Sequence, residues 1–457
     1  MFLSVILFLV CFSGTVAVFH QEFERWEQPH IPEMKSIAPE MVDKAMNAFL
    51  QKHPEQTDHL FVVFPTSGIP RFVVENDDKA YFADSNGNLL EVERSPFTKM
   101  MVDLHLYLNL PHAWGMILVS AMGAIICTLV VTGMVAHKRI SKDAFRLRRG
   151  GNGQQYTIDL HNRFGLWAAP FHLIIGVTGA YFGLAGLLIV LVSSLYYGGD
   201  RDAVVAEIFT PDPVMGQPYQ QPQLSRAFAQ MADIAPNHEP IFLTVHEAYS
   251  DDQFIEIYAK APGKMIYSEN YRFDSAGNFI GTGGYEDGHW GKQLVYAMYR
   301  LHFGDFAGLS SKILYFILGV MLTVLCISGT EIWLQKKANP PVLTRVWQGI
   351  VWGSIGALAL TALVSLATDT GLVSVFWALV LLNSLLSVFI DKCDKRFWLV
   401  SSGICVLSLL VSYTFVHGAS AFSMAALQLN IPMLAYVMWS FYRGRSIKPH
   451  QESLNQS

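Results

Sequence analysis

The chain has 457 residues, 52% of them hydrophobic and 15% charged, with a formal net charge of −5. Several apolar runs reach membrane-spanning length, which excludes a water-soluble globular protein, and so small a net charge gives no ground for a nucleic-acid partner. Five cysteines (Cys11, Cys127, Cys326, Cys393 and Cys405) form no CxxC, and four fall in apolar runs, so no disulfide framework, zinc site or iron–sulfur site is expected.

Residues 1–19 have no basic n-region and no A-x-A-like cleavage site, and read as a first span rather than a signal peptide. A polar section, 20–112, leads to spans at 113–136 and 163–196 with a loop, 137–162, between them. A second polar section, 197–311, precedes a span at 312–335. Four further spans fill 346–442, and 443–457 is a tail. Lys138, Arg139, Lys142, Arg146, Arg148 and Arg149 crowd one loop. Lys336, Lys337 and Arg345 mark the next, Lys392, Lys395 and Arg396 a third, and Arg443 and Arg445 the tail, whereas 367–371 and 417–420 carry no Lys or Arg. The positive-inside rule places every basic loop in the cytoplasm, which gives eight spans, both termini inside, and two exported polar sections. The expected fold is an integral membrane helical bundle of about eight spans carrying two small exported α+β domains.

The exported sections repeat one another. Each has a helical pattern (39–51, 224–231), then alternating apolar segments, and each closes on Asp-Ser-x-Gly-Asn, at 84–88 and 274–278, a tight-turn signal. A helix on a small antiparallel sheet is the expected solution for each. Ser13-Gly14, Thr132-Gly133, Thr178-Gly179 and Ser328-Gly329 likewise place a small hydroxyl residue before glycine in the first four spans, so span–domain–span occurs twice in parallel.

Histidines complete the pattern. His105 and His302 precede the second and fourth spans on the exported side, each after a short amphipathic stretch, and His137 and His161 flank the basic loop. Two pairs at two levels are what bis-histidine haem ligation in a bundle requires. The stretch 159–186, read as one helix, adds His172 eleven residues after His161. Eleven steps rotate about 1100°, within about 20° of whole turns, which puts both rings on one face. A histidine inside a span is a candidate functional residue, with a packing histidine as the competing reading. Gly133, Gly179 and Gly329 are expected to make room for the macrocycle, and Arg146, Arg148 and Arg149 to pair with its propionates. With no CxxCH the haem would be b-type, two per chain, and His20, His112, His289 and His417 are rival ligands near the exported face. No strand–GxGxxG–helix unit occurs in the short cytoplasmic loops, so no flavin or nicotinamide site is expected. Quinol or a separate cytoplasmic reductase would then be the electron donor.

The runs LHLYLNLPHAWGMILVSAMGAIICTLVVTGMVAHKRI, DLHNRFGLWAAPFHLIIGVTGAYFG and LHFGDFAGLSSKILYFILGVMLTVLCISGTEIWLQKK resemble the PepSY-associated transmembrane family, and the two sections ending in DSxGN resemble its PepSY domains. The likeness covers about residues 1–340. It implies an inner-membrane ferric-siderophore reductase that holds two haems and serves iron uptake, with His105, His137, His161 and His302 matching the family's recurring histidines. Electrons would pass from the His137–His161 haem to the His105–His302 haem and on to a ferric chelate between the PepSY domains. The family's first helix usually opens with a histidine-glycine segment that this sequence does not contain, so a truncated start is one expectation. Shorter members lack the last four spans. Two other classes fit the sequence: a cofactor-free PepSY regulator that binds peptides, and a transporter using the C-terminal spans, which are poor in charge, with Asp369 in a loop and Asp391 at a helix end. Neither HExxH nor a Ser-His-Asp arrangement is visible, which sets hydrolase chemistry aside.

Overall fold

The computed structural model describes residues 1–136, 139, 142, 145, 153–336, 341–390 and 393–446. Helix α1 (Phe2–Ala17) is apolar throughout, and the chain then bends by 64° into α2 (His20–Glu27). The bend falls where HQEFERWE replaces the apolar run, because a polar segment cannot continue through lipid. Helix α3 (Pro39–Lys52), strands β1 (Leu60–Val63), β2 (Phe72–Asn76), β3 (Ala80–Ala83) and β4 (Leu89–Val92), and helices α4 (Pro96–Tyr107) and α5 (His112–Ala136) complete the first repeat.

The second repeat starts with α6 (Gly153–Trp167) and α7 (Ala169–Tyr196), followed by α8 (Arg201–Ile208) and α9 (Leu224–Ile234). Strands β5 (Glu239–His246), β6 (Phe254–Lys260), β7 (Glu269–Asp274) and β8 (Phe279–Thr282) lead to α10 (Trp290–Phe303) and α11 (Gly308–Lys336). Four apolar helices end the described chain: α12 (Pro341–Ser365), α13 (Leu372–Phe389), α14 (Lys395–His417) and α15 (Met424–Ser446). Among the described residues seven helices are long and apolar enough to cross a membrane, or eight if α1 and α2 are one bent span.

One expectation fails at the third span. The stretch 159–186 is two helices, not one, because the chain breaks at Ala168 (φ −102°, ψ 11°). Pro170 sits at the start of α7, where its missing N–H is harmless, but inside a continuous helix it would remove a hydrogen bond and clash with the preceding turn. His161 and His172 therefore do not share a helix face.

The sheet also differs from expectation. Instead of two small sheets, all eight strands form one antiparallel sheet in the order β4-β3-β2-β1-β5-β6-β7-β8. The halves join where Leu60 opposes Val245 and Val63 opposes Phe242. Unpaired, β1 and β5 would each present an apolar edge, and pairing satisfies both at once. The joined sheet carries one core: Val42, Ala45, Met46 and Phe49 of α3 and Leu224, Ala227 and Met231 of α9 cover Val62, Val74, Leu243, Ile255, Ile257 and Phe273. Both DSxGN turns have the same construction. Asp84 accepts from the backbone and side-chain N–H groups of Asn88, Asp274 does the same with Asn278, and Gly87 and Gly277 take the positive φ (72° and 78°).

A carboxylate stitches the halves together. Asp43 of α3 accepts from the Leu224 and Ser225 N–H groups at 3.0 and 3.1 Å, capping α9, while Ser225 Oγ accepts from the Asp43 N–H. Asp43→Ala is expected to cost about 1–2 kcal/mol, read as a lowered unfolding midpoint of the detergent-solubilised full chain. An unchanged midpoint would mean that the cap contributes nothing.

In the membrane, α1 packs on α11 and α5 on α7. Small residues set the approach: a Cβ on Gly123 would lie 2.6 Å from the Gly176 carbonyl oxygen, and Thr15 hydrogen-bonds Thr323 at 3.1 Å. Of the C-terminal helices, α12, α14 and α15 dock on α1 and α2, and α13 meets α4. Trp347 meets Phe8 edge-on at 5.8 Å, and Trp26 stacks on Tyr413 at 4.3 Å while donating to Asn430.

Candidate functional site

Helices α4 and α10 occupy equivalent places in the two repeats, and each ends on a histidine and a left-handed cap residue (Leu108, Gly304). Their rings meet. His105 and His302 have centroids 6.0 Å apart and planes inclined by 20°. Two imidazoles bound to one metal through nitrogen at about 2 Å would have ring centres roughly 6 Å apart.

Each ring is seated on the first span of its own repeat. A Cβ on Gly14 would lie 2.5 Å from His105 Cε1, and one on Gly179 3.2 Å from His302 Cε1. The glycines thus make room for the imidazoles, a role the sequence does not reveal. His105 Nδ1 lies 3.0 Å from the Val10 carbonyl oxygen, and His302 Nδ1 lies 2.8 Å from Thr178 Oγ1. Thr178 gives its own proton to Ile174 O at 2.7 Å, so it can only accept from His302.

His161 repeats the arrangement at the other level. It lies over Gly329, with Nδ1 2.9 Å from Ser328 Oγ, and Ser328 donates to Val324 O. All three histidines are therefore held with the proton on Nδ1 and the Nε2 lone pair free of hydrogen bonds among the described residues. Desolvation pushes His302 down to about 3, with His105 adding to it, and lowers His105 and His161 as well. Neutral imidazole is the form that binds a metal.

Two cavities adjoin these rings. A narrow one of about 80 Å³ is lined by His105, His302, Gly14, Phe171, Tyr315 and Gly319. The other, about 470 Å³, is walled by α1, α5, α6 and α11 and is apolar apart from His161, Asn162, Ser4 and Thr330. Gly133 and Gly329 line it, and a Cβ on Gly133 would meet nothing within 4 Å. His137, Arg146, Arg148 and Arg149 lie outside the described residues.

Among the described residues the other histidines singled out from the sequence do not join His105 and His302. His172 is fully buried on α7, and neither ring nitrogen has a hydrogen-bond partner among the described residues. His112 packs against Tyr107, His20 against Phe303 and His417 against Tyr413, while His289 caps α10 by accepting from the Gly291 N–H. Sequence reasoning missed Glu22 and Lys312, which form a buried ion pair at 2.8 Å where α2 meets α11. A lysine at the head of an apolar run was the signal for it.

The profile described as the PepSY-associated TM region matches residues 1–336, which is the whole of both repeats. The chain belongs to this family. It is also 29% identical over 288 residues to an uncharacterised protein of Pseudomonas aeruginosa, covering 59% of this chain and 72% of that one. The family match ends with α11, so helices α12–α15 lie beyond it.

Proposed function

We propose that the chain is a b-type di-haem reductase of the inner membrane, with both termini cytoplasmic, that passes electrons outward to a ferric chelate such as a ferric siderophore. The observation that carries this reading is the shared tautomer: His105, His302 and His161 each spend Nδ1–H on a fixed acceptor and leave the Nε2 lone pair free to bind a metal. In the first pair the two rings also stand 6.0 Å apart, the separation two imidazoles on one metal would take. His105 and His302 would hold one haem, and His161, with His137, the other. Such groups, when bound, supply one-electron transfer. The residues around them keep the rings neutral and exclude water: Phe182 and Phe303 lie edge-on to His302 at 5.5 and 5.8 Å. Quinol or a separate cytoplasmic reductase is the donor in this reading, and the iron leaves its hard oxygen ligands more readily once ferrous.

Detergent-solubilised full chain from haem-replete cells should give a reduced-minus-oxidised b-type spectrum and about two haems per chain by the pyridine haemochrome assay. A colourless preparation would overturn the proposal and leave a cofactor-free PepSY protein.

A further inference from the structure

A third cavity, about 390 Å³, lies on the extramembrane half of the second repeat, lined by Lys260, Lys264 and Arg300 together with Asn237, Glu239 and Phe306. That volume is in the range of small-molecule sites. Arg300 is nine-tenths buried, and its guanidinium is spent on framing the pocket: it donates to the carbonyls of Lys264, Ile266 and Phe306. Among the described residues its Nε has no hydrogen-bond partner and faces Asp305 at 3.7 Å. Lys260 reaches Glu239 at 3.8 Å, and among the described residues the Lys264 ammonium hydrogen-bonds only the neutral carbonyl of Glu286. Three cations, Lys260, Lys264 and Arg300, face two carboxylates, Glu239 on the lining and Asp305 behind Arg300, so the pocket keeps a net charge of +1 (3 − 2).

Its back wall is shared with the histidine pair. Phe306 lines the pocket and meets Tyr315 at 5.8 Å, and Tyr315 lines the cavity beside His105 and His302. Arg300 stands two residues before His302 on the same helix. One aromatic pair therefore separates a cationic pocket from the imidazoles.

We infer that this pocket is the docking site for the electron acceptor, and that it selects ferric chelates of net negative charge. The inference rests on the reductase reading for its purpose, but not for its measurement. The haem content and spectrum of the full chain are recorded first. Binding is then measured by quenching of intrinsic fluorescence with two probes, an anionic ferric tris-catecholate and a neutral ferric trihydroxamate. Wild type should bind the anionic probe more tightly. Lys260→Gln combined with Lys264→Gln should weaken that binding at least about tenfold, leaving the neutral probe and the haem spectrum unchanged. Equal affinity of wild type and variant for the tris-catecholate overturns the inference. So does binding in phosphatidylcholine nanodiscs that is abolished by phosphatidylglycerol, because a lipid headgroup would then fill the pocket. A haem-loaded protein without charge-selective binding sinks this inference alone, and a haem-free protein that still binds the tris-catecholate sinks the reductase reading alone.

Discussion

His302→Ala protein should retain one haem where the proposed function gives wild type two. The ring projects from the end of α10 onto Gly179, 6.0 Å from its partner His105, and has no neighbour able to replace its free nitrogen: Phe182 and Phe303 flank it. A single remaining axial imidazole holds the macrocycle weakly, so haem content should fall by about half, while the level served by His161 keeps its spectrum. Thr178→Val is the matched control for position. It preserves shape but removes the oxygen that accepts from His302 Nδ1, so the haem should stay bound and its midpoint potential should move. Two haems in His302→Ala would eliminate the pairing. An unmoved potential in Thr178→Val would eliminate the orienting role of the hydroxyl.

The second large effect concerns stability. Lys312 Nζ donates to both oxygens of Glu22 at 2.8 and 2.9 Å and to Gln21 Oε1 at 2.8 Å, and both charged side chains are buried. This contact fixes the bent helix α2 against the head of α11. Lys312→Met removes the cation and strands a carboxylate in a low-dielectric site, which should cost about 3–5 kcal/mol. Adding Glu22→Gln relieves the stranded charge and should recover most of that loss. The pattern is read from unfolding midpoints of the three purified proteins. A Lys312→Met midpoint equal to wild type, or a double variant no better than the single, would contradict the assignment.

Much of the architecture was legible because its causes are local. Apolar runs and basic loops disclose spans, and Asp-Ser-x-Gly-Asn discloses a turn whose aspartate and asparagine bond each other four residues apart. Pairs of small hydroxyl residue and glycine were visible as a repeat, but their use was not. Gly14, Gly179 and Gly329 seat imidazoles supplied from far along the chain, so their purpose appears only after the helices pack. The β1–β5 junction was hidden for the same reason, since LFVV and IFLTVH each look like ordinary strands. The break at Ala168 was the avoidable miss. Pro170 announced it, and continuous helical geometry across a proline was the wrong premise.

The shared sheet has a mechanical consequence. Helices α4 and α10 leave from its opposite margins, β4 and β8, which at about 4.8 Å per strand stand some 34 Å apart. Yet the two helices return to within a ring's width of each other. The sheet is thus an arch with both feet planted on the same pair of imidazoles, and flattening or twisting it would change the gap at its base.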